Sequence, residues 1–312
     1  MHDLPLMGFG TFIGLEVDAI VDPGVRHRTT VNVIVDALTM GYRHLDLAEN
    51  YGNLSAVAEA LVIAFRDCDQ GGLGLIRDEL WLTMKASAPF THEHIDALLH
   101  DVGVESFDLF LIHKPNVPDI FQSEHSLISA WRDLAAISEE KLARIGVSNF
   151  YEPHLERLLA ICVNEQLKMP YANEIEINAL SKNQQLVQYC QDHELKVIAY
   201  SPLGYAYVNA VLENLSIQQL AKTMQMTPAQ ASLAWCMSKG IAVIPKSKQL
   251  LHIHENFQAQ NYLPLSLEST ALMTKIDDEP DIMEGLTLTS VEAKENGAQL
   301  TWDVAILPRC SI

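Results

Sequence analysis

The sequence predicts an α/β fold of the (β/α)8 TIM-barrel type, followed by a C-terminal β-hairpin extension. Eight short apolar runs alternate with amphipathic segments along the chain, and this alternation is typical of successive βα units. Several of the apolar runs also stop at a polar or ionisable residue. Parallel barrels carry their polar site residues at these strand ends, so both observations favour a barrel.

The predicted strands follow one another from Leu6 to Ile244. They are Leu6–Gly10, Arg43–Asp46, Leu80–Lys85, Phe107–Ile112, Ala143–Val147, Tyr171–Ile177, Lys196–Tyr200 and Ile241–Ile244. The segments between them repeat apolar residues every three or four positions, as Val31, Ile34 and Leu38 do, which predicts amphipathic helices. Thr227 and Pro228 are typical of the N-cap and first position of a helix.

The end of the chain follows a different pattern. From Leu286 to Ile306, apolar and polar residues alternate around Asn296-Gly297, a dipeptide that favours a tight hairpin turn. We therefore expect a barrel domain over residues 1–285 and a hairpin over residues 286–312. An isolated hairpin is marginally stable in water, so we expect it to pack on the barrel or at a subunit interface.

Composition and charge exclude several classes of partner. The chain has 312 residues and a net charge of −19, whereas nucleic-acid binding needs clustered Lys and Arg. No apolar run approaches the ~20 residues that span a bilayer, and the first residues lack the pattern of a signal peptide. The five scattered cysteines suit free thiols in a reducing compartment. We expect a cytoplasmic monomer or homodimer without a nucleic-acid or membrane partner.

Four residues that can hold or move a proton follow predicted strands. Asp46 and Lys85 end two strands, Tyr51 comes five residues after Asp46, and His113 follows a third strand. At one barrel mouth, the Lys85 ammonium would lower the pKa of the Tyr51 phenol, and Asp46 would hold the lysine. His113 would hydrogen-bond a carbonyl oxygen. Such a group is a general acid beside a carbonyl, and it needs a hydride source.

Several motifs carry a resemblance to a known family over about residues 5–261. They are Gly8-Phe9-Gly10-Thr11, Gly41-Tyr42-Arg43-His44-Leu45-Asp46 through Asn50-Tyr51-Gly52-Asn53, Leu111-Ile112-His113, Ile145-Gly146-Val147-Ser148-Asn149-Phe150, and Ile244-Pro245-Lys246-Ser247 with Glu255-Asn256-Phe257. Together they resemble the aldo-keto reductase superfamily. The Ile-Gly-Val-Ser-Asn-Phe motif, combined with the spaced Asp, Tyr, Lys and His, makes this resemblance specific.

The resemblance implies a reaction and a set of roles. The reaction is the NADPH-dependent reduction of an aldehyde or ketone to an alcohol, without a metal. Asp46, Tyr51, Lys85 and His113 would form the catalytic tetrad, with Tyr51 as the general acid. The implied cofactor contacts are Ser148 and Asn149 with the nicotinamide amide, Tyr200 with its ring, Ser201 and Leu203 with the pyrophosphate, Lys246 and Ser247 with the 2′-phosphate, and Glu255 and Asn256 with the adenine.

Two cofactor positions depart from the family pattern. Glu174 stands where the family has a glutamine that binds the nicotinamide carboxamide. A carboxylate accepts hydrogen bonds but donates one only when protonated, so either cofactor binding is weaker or Glu174 carries a proton. His252 stands where an arginine commonly grips the 2′-phosphate, and neutral histidine lacks the bidentate fork. NADPH preference then rests on Lys246, helped by Lys248, with NADH as the alternative cofactor.

Phe12 and Lys114 mark the expected substrate end of the site. Both stand where many relatives have tryptophan. A cation at position 114 would favour a small carbonyl substrate that is anionic or strongly polar. In the alternative interpretation, Lys114 turns outward and only solvates its loop.

Two other functions can be weighed from the same residues. One is a slow or inactive NADP(H)-binding sensor or regulatory subunit, as the family's potassium-channel β subunits suggest; the intact tetrad disfavours an inactive scaffold. The other is reduction of a carbon–carbon double bond, which in this family goes with a glutamate in place of the catalytic histidine. His113 disfavours it. The sequence does not select the carbonyl substrate.

Overall fold

The computed structural model describes residues 3–13, 21–115, 124–264 and 266–281. Eight parallel strands form one sheet in it. They are β1 (Phe9–Gly10), β2 (His44–Ala48), β3 (Trp81–Ala86), β4 (Leu109–Ile112), β5 (Ile145–Ser148), β6 (Ala172–Glu176), β7 (Lys196–Tyr200) and β8 (Ala242–Val243). Each strand pairs in parallel with the next one in sequence.

The sheet closes on itself between its first and last strands. A parallel bridge joins Met7 to Val243, and Gly8 N donates to Val243 O at 2.8 Å. The predicted (β/α)8 barrel is therefore confirmed. The two strands at this seam are shorter than predicted, because their pairing continues only as a single bridge and isolated hydrogen bonds.

Helices occupy the connections between the strands, and two more follow the last strand. They are α1 (Pro23–Met40), α2 (Leu54–Phe65), α3 (His92–Val102), α4 (Glu124–Ala135), α5 (Glu152–Glu165), α6 (Gln184–Asp192), α7 (Val208–Leu212), α8 (Leu215–Met224), α9 (Pro228–Met237), α10 (Leu250–Gln258) and α11 (Leu267–Asp278). In α1, Val31, Ile34 and Leu38 are buried, as their spacing predicts.

The start of α9 confirms the predicted N-cap. Thr227 Oγ1 accepts a hydrogen bond from Gln230 N at 3.2 Å, and Gln230 Oε1 accepts one from Thr227 N at 3.0 Å. Pro228 is the first helical residue. The proline costs no hydrogen bond there, because the first amides of a helix have no partner within it.

A polar layer inside the barrel supports the residues above it. His44 Nε2 lies 3.0 Å from Thr83 Oγ1, and both side chains are buried. Gly8 makes room for the imidazole, because a Cβ at that position would lie 2.5 Å from His44 Nδ1. Alternate residues of a strand face the same side. Asp46 and Lys85, two residues after His44 and Thr83, therefore point into the same interior, closer to the carboxyl ends of the strands.

Three further expectations concern the C-terminal hairpin, membrane-spanning helices and the cysteines. The hairpin predicted for residues 286–312 lies outside the described residues. Within the described part of the chain, no helix combines the length and apolar character needed to cross a membrane. Cys162, Cys190 and Cys236 are buried free thiols, and Cys68 is exposed.

Candidate active site

A cavity of about 720 Å³ opens where the strands end. The predicted catalytic, cofactor and substrate residues line it, whereas Lys248 does not. These residues are Phe12, Asp46, Tyr51, Lys85, His113, Lys114, Ser148, Asn149, Glu174, Tyr200, Ser201, Leu203, Lys246, Ser247, His252, Glu255 and Asn256. Residues far apart in the chain thus meet at one mouth of the barrel, as the strand-end pattern predicts.

Lys85 lies between two carboxyl groups in the barrel interior. Its Nζ is 2.5 Å from each carboxyl oxygen of Asp46 and 2.9 Å from Oε1 of Glu174. All three side chains are at most 2% exposed, so their charges must be balanced within the cluster. The predicted contact between Asp46 and Lys85 is confirmed. The contact between Glu174 and Lys85 is an additional feature that the sequence pattern does not indicate.

Local hydrogen bonds position the turn that carries Tyr51. Glu49–Tyr51 form a short helical turn directly after β2. Asn53 Nδ2 donates to Thr11 O at 2.9 Å, which ties this turn to the loop after β1. Lys85 Nζ lies 5.4 Å from the centroid of the Tyr51 ring. The phenol is therefore held beside the ammonium.

The charges around Tyr51 do not lower its pKa as expected. Burial raises the pKa of the phenol, Lys85 lowers it, and Asp46 and Glu174 raise it further, so that the net direction is upward. The expectation of a lowered phenol pKa is wrong, first because the phenol is buried and also because two carboxyl groups act against the ammonium. Burial also acts to lower the pKa of Lys85, but the charges of Asp46 and Glu174 raise it well above its ordinary value. Lys85 is therefore an ammonium at neutral pH.

His113 is a neutral imidazole at the edge of the Tyr51 ring. The two ring centroids are 6.1 Å apart, with an interplanar angle of 82°. Burial, Lys85 and Lys114 lower the pKa of His113 to about 4. A neutral imidazole carries one N–H and can donate a hydrogen bond. The backbone is fixed as well, because Asn149 Nδ2 donates to His113 O at 2.9 Å.

The ends of β5 and β7 form a polar face with its own hydrogen bonds. Ser148 Oγ donates to Glu174 O at 2.9 Å. Tyr200 OH donates to Asn149 Oδ1 at 2.7 Å, and Asn149 adopts a positive φ of 62°. The hydroxyl, the amide and the aromatic ring of this face are thus oriented before any ligand binds.

Glu174 has one oxygen without a partner. Oε1 contacts Lys85, but Oε2 is buried and has no hydrogen-bond partner among the described residues. Burial and the negative charge of Asp46 raise the pKa of Glu174, Lys85 lowers it, and the net value is about 8. A carboxyl group with this pKa is mostly protonated at neutral pH.

Lys246 contacts an aromatic ring in another part of the cavity. Its Nζ lies 4.8 Å from the centroid of the Tyr205 ring, within the range of a cation–π contact. Tyr205 lines the cavity and is not among the residues predicted for the site. A usable signal was present, because Tyr205 lies in the loop after β7 and such loops build barrel sites. On α10, His252 is exposed and Asn256 is buried.

Comparison with known proteins decides the family of this chain. The model of the Aldo/keto reductase family matches residues 7–278. The chain belongs to this family. Methylglyoxal reductase DkgA of Yersinia pestis is 34% identical over 245 residues, which cover 77% of this chain and 81% of that protein.

Other aldo-keto reductases are similar over comparable lengths. The 9,11-endoperoxide prostaglandin H2 reductase of Trypanosoma cruzi is 31% identical over 239 residues, covering 75% of this chain and 77% of that protein. The structure of the aldose reductase from Schistosoma japonicum has a TM-score of 0.72 and 28% identity, covering 93% of this chain and 94% of that one.

Aldo-keto reductases are oxidoreductases of carbonyl and alcohol groups that use nicotinamide cofactors. The cavity of this aldo-keto reductase suits such a cofactor in its chemistry. It combines the fixed amide and hydroxyl groups of Asn149 and Ser148, the aromatic ring of Tyr200 and the cation of Lys246. Among the described residues, no group of His, Cys, Asp and Glu is arranged to hold a metal ion.

The two residues predicted for the substrate end, Phe12 and Lys114, both line the cavity of this aldo-keto reductase. The centroid of the Phe12 ring lies 5.0 Å from that of Tyr51. Lys114 is exposed at the cavity, and its charge contributes to the lowered pKa of His113. The positive charge of Lys114 therefore acts on a group inside the site.

Proposed function

We propose that this aldo-keto reductase reduces an aldehyde or ketone to an alcohol, with NADPH as hydride donor and Tyr51 as general acid. One observation carries the proposal: Tyr51, Lys85 and His113 converge on one cavity, and Asp46 is bonded to the lysine. A phenol, a fixed ammonium and a neutral imidazole around one point can orient and protonate a carbonyl oxygen. The name of the similar methylglyoxal reductase of Yersinia pestis supports this reaction, because methylglyoxal is a carbonyl compound.

Separate groups of residues would hold the parts of the cofactor. Ser148, Asn149 and Glu174 would bind the carboxamide, Tyr200 the nicotinamide ring, Ser201 and Leu203 the pyrophosphate, Lys246 and Ser247 the 2′-phosphate, and His252, Glu255 and Asn256 the adenosine end. The bound nicotinamide supplies the hydride that reduces the carbonyl carbon. The hydrogen bonds that already fix Asn149 and Tyr200 reduce the ordering needed on binding.

Tyr51 would supply the proton. Its O–H bond breaks as the carbonyl oxygen gains the proton, and the Lys85 ammonium stabilises the phenolate that remains. Asp46 keeps the ammonium in place. His113, which is neutral, would donate its N–H to the carbonyl oxygen and so orient it before the transfer. Water then returns a proton to the phenolate.

The preference for NADPH over NADH rests on Lys246. NADPH differs from NADH by the 2′-phosphate, and an ammonium attracts this group as a point charge. His252, exposed on α10, cannot form the bidentate contact of an arginine. We therefore assign most of the discrimination to the lysine.

The substrate is proposed to be polar or anionic. Lys114 lies at the cavity, and its charge reaches His113, which favours a role in the site over simple solvation of its loop. A carboxylate or a similar group on the substrate would be attracted toward this cation.

Replacing Tyr51 with phenylalanine tests the proposal. Tyr51→Phe should lower kcat by about a hundredfold to ten-thousandfold, the usual contribution of a general acid, and should leave the dissociation constant for NADPH close to the native value. Tyr151→Phe is the matched control, because Tyr151 is a part-buried tyrosine outside the cavity lining. Native turnover in Tyr51→Phe would refute the assigned acid.

A substrate panel separates the reductase from the sensor. Oxidation of NADPH should be measured with a series of aldehydes and ketones that includes carboxylate-bearing members. Turnover of at least one of them supports the proposal. Tight NADPH binding without turnover of any of them would support the regulatory function instead.

A further inference from the structure

The ion cluster around Lys85 has more negative groups than positive ones. Asp46 and Glu174 both contact the same ammonium, and all three side chains are at most 2% exposed. With both carboxyl groups ionised, the buried cluster would hold two negative charges and one positive charge. Glu174 Oε2 would also remain a buried acceptor without a donor. Both conditions are unfavourable in a protein interior.

A proton on Glu174 removes the excess negative charge. Burial raises the pKa of both carboxyl groups, and burial together with the charge of Asp46 raises that of Glu174 to about 8. Both carboxyl oxygens of Asp46 lie 2.5 Å from the ammonium, whereas only Oε1 of Glu174 contacts it, at 2.9 Å. The closer ion pair favours the ionised form of Asp46, which leaves the proton on Glu174. The cluster is then neutral overall.

We propose that Glu174 is a proton-binding group linked to the oxidation state of the cofactor, a carboxylic acid beside NADPH and a carboxylate beside NADP⁺. The inference rests on the proposed function, because it requires the nicotinamide to bind at the face formed by Ser148, Asn149 and Glu174. The oxidised ring carries a positive charge that the reduced ring lacks, and a carboxylate nearby stabilises that charge. Binding of NADP⁺ therefore releases the Glu174 proton to solvent, and binding of NADPH does not.

This linkage would also act on Tyr51. The negative charge of Glu174 raises the pKa of the phenol. With NADPH bound and Glu174 neutral, the phenol is the stronger acid, as a proton donor should be. With NADP⁺ bound and Glu174 ionised, the phenolate takes up a proton more readily. Glu174 would thus act as a positioning residue, through charge and through Lys85, rather than by touching the carbonyl.

Titratable groups from other parts of the barrel surround Glu174. The titratable groups that face it among the described residues are Asp46 of β2, Tyr51 after β2, Lys85 of β3 and Tyr200 of β7. The pKa of Lys85 is raised well above its ordinary value. Burial, with nearby negative charges, raises the pKa of both tyrosines. None of these three changes its ionisation near neutral pH. Burial raises the pKa of Asp46 as well, and its direct contact with Lys85 acts against that rise.

Cofactor binding in three proteins tests the inference. Glu174→Gln keeps the shape of the side chain and cannot ionise. Glu176→Gln is the control, because it removes another carboxyl of β6 that does not contact Lys85. Dissociation constants for NADP⁺ and NADPH should be measured between about pH 6.5 and 9. Calorimetry in two buffers with different ionisation enthalpies then counts the protons released.

The native enzyme and Glu176→Gln should release a proton when NADP⁺ binds near neutral pH. Their dissociation constants for NADP⁺ should fall by up to about tenfold per pH unit and level off above the Glu174 pKa of about 8. Glu174→Gln should show neither effect. The 2′-phosphate of the cofactor titrates in the same way with all three proteins. A difference between the proteins in proton release or in pH dependence is therefore due to Glu174. Equal proton release in Glu174→Gln and the native enzyme would overturn the inference.

A measurement on the native enzyme covers the case of a variant that does not fold. The infrared carbonyl stretch of a protonated carboxylic acid should be present with NADPH bound and should disappear when NADP⁺ replaces it. A band unchanged between the two states would also overturn the inference. If the native enzyme binds neither cofactor, the proposed function fails instead, which keeps the two failures distinct.

Discussion

The Lys246 ammonium lies over the ring of Tyr205, with Nζ 4.8 Å from the ring centroid. The two residues come from different loops, one after β8 and one after β7, and both line the cavity. The contact places a cation at the cavity and orients it before a ligand arrives. The proposed binding of the cofactor 2′-phosphate should therefore depend on both loops.

Substituting Lys246 should separate the two nicotinamide cofactors. Lys246→Met should raise the dissociation constant for NADPH by about tenfold to a hundredfold, the usual contribution of a charge-assisted hydrogen bond. The dissociation constant for NADH should change little. Fluorescence titration with each cofactor measures both values. Lys248→Met, at a nearby lysine outside the cavity lining, should have a smaller effect, and an equal loss for NADPH and NADH in Lys246→Met would contradict the assignment.

Substituting Lys114 should change the discrimination between substrates. Lys114→Ala should raise the KM for a carboxylate-bearing aldehyde by about two- to fivefold at low salt, the size expected for an exposed ion pair. A neutral aldehyde of similar size should be unaffected. Lys141→Ala controls for net charge, because Lys141 is paired with Asp96 on α3. If Lys114→Ala and the native enzyme had the same KM for each of the two substrates, Lys114 would have no role in recognition.

Protonation of His44 should destabilise the fold as the pH falls. Burial, together with the charge of Lys85, lowers the pKa of His44 to about 3, below its ordinary value of about 6.5. Between these values the unfolded chain binds a proton that the folded chain does not. The free energy of unfolding should therefore fall with decreasing pH, by up to about 1.4 kcal/mol per pH unit for this group.

Chemical denaturation at a series of pH values measures this dependence. In His44→Gln, which can keep the hydrogen bond to Thr83, the free energy of unfolding should fall less steeply below about pH 6.5. Parallel curves for the variant and the native enzyme would show that His44 does not contribute.

The N-cap of α9 should contribute to stability independently of the site. Thr227→Ala removes the acceptor for Gln230 N and should cost about 0.5–2 kcal/mol of the free energy of unfolding. Thr223→Ala is the matched control, because Thr223 is exposed near the end of α8, and it should change stability by less than about 0.5 kcal/mol. Urea denaturation measures both. A cost for Thr227→Ala no larger than for the control would argue against the cap.

The barrel could be predicted from local patterns, because the spacing of apolar residues differs between strands and helices and can be read within each element. Lys196–Tyr200 is a strand in both the prediction and the structure. The site could be predicted because strand ends collect at one mouth and because motifs such as Ile145–Phe150 resemble a known family. These signals depend on residues that are close together in the chain.

The contacts that could not be predicted join residues across the barrel interior. Glu174 reaches Lys85 from β6 to β3, two strands that are not neighbours in the sheet. Neither local spacing nor a motif reports such a contact. The raised pKa of Tyr51 could not be predicted either, because it depends first on burial and then on the charges of the assembled interior. The position of Tyr205 after β7 is a local signal for the site, but its contact with Lys246 in another loop is not readable from local spacing.

The seam between Met7 and Val243 has a consequence for how the enzyme is made on the ribosome. It pairs the first strand of the barrel with the last one, so a growing chain cannot complete the sheet until β8 has been synthesised. Closing so long a loop is slow compared with forming neighbouring βα units. Lys246, Glu255 and Asn256 follow that seam in the chain. A nascent chain would therefore assemble the Asp46–Lys85 pair before it could form the part of the cavity that these later residues line.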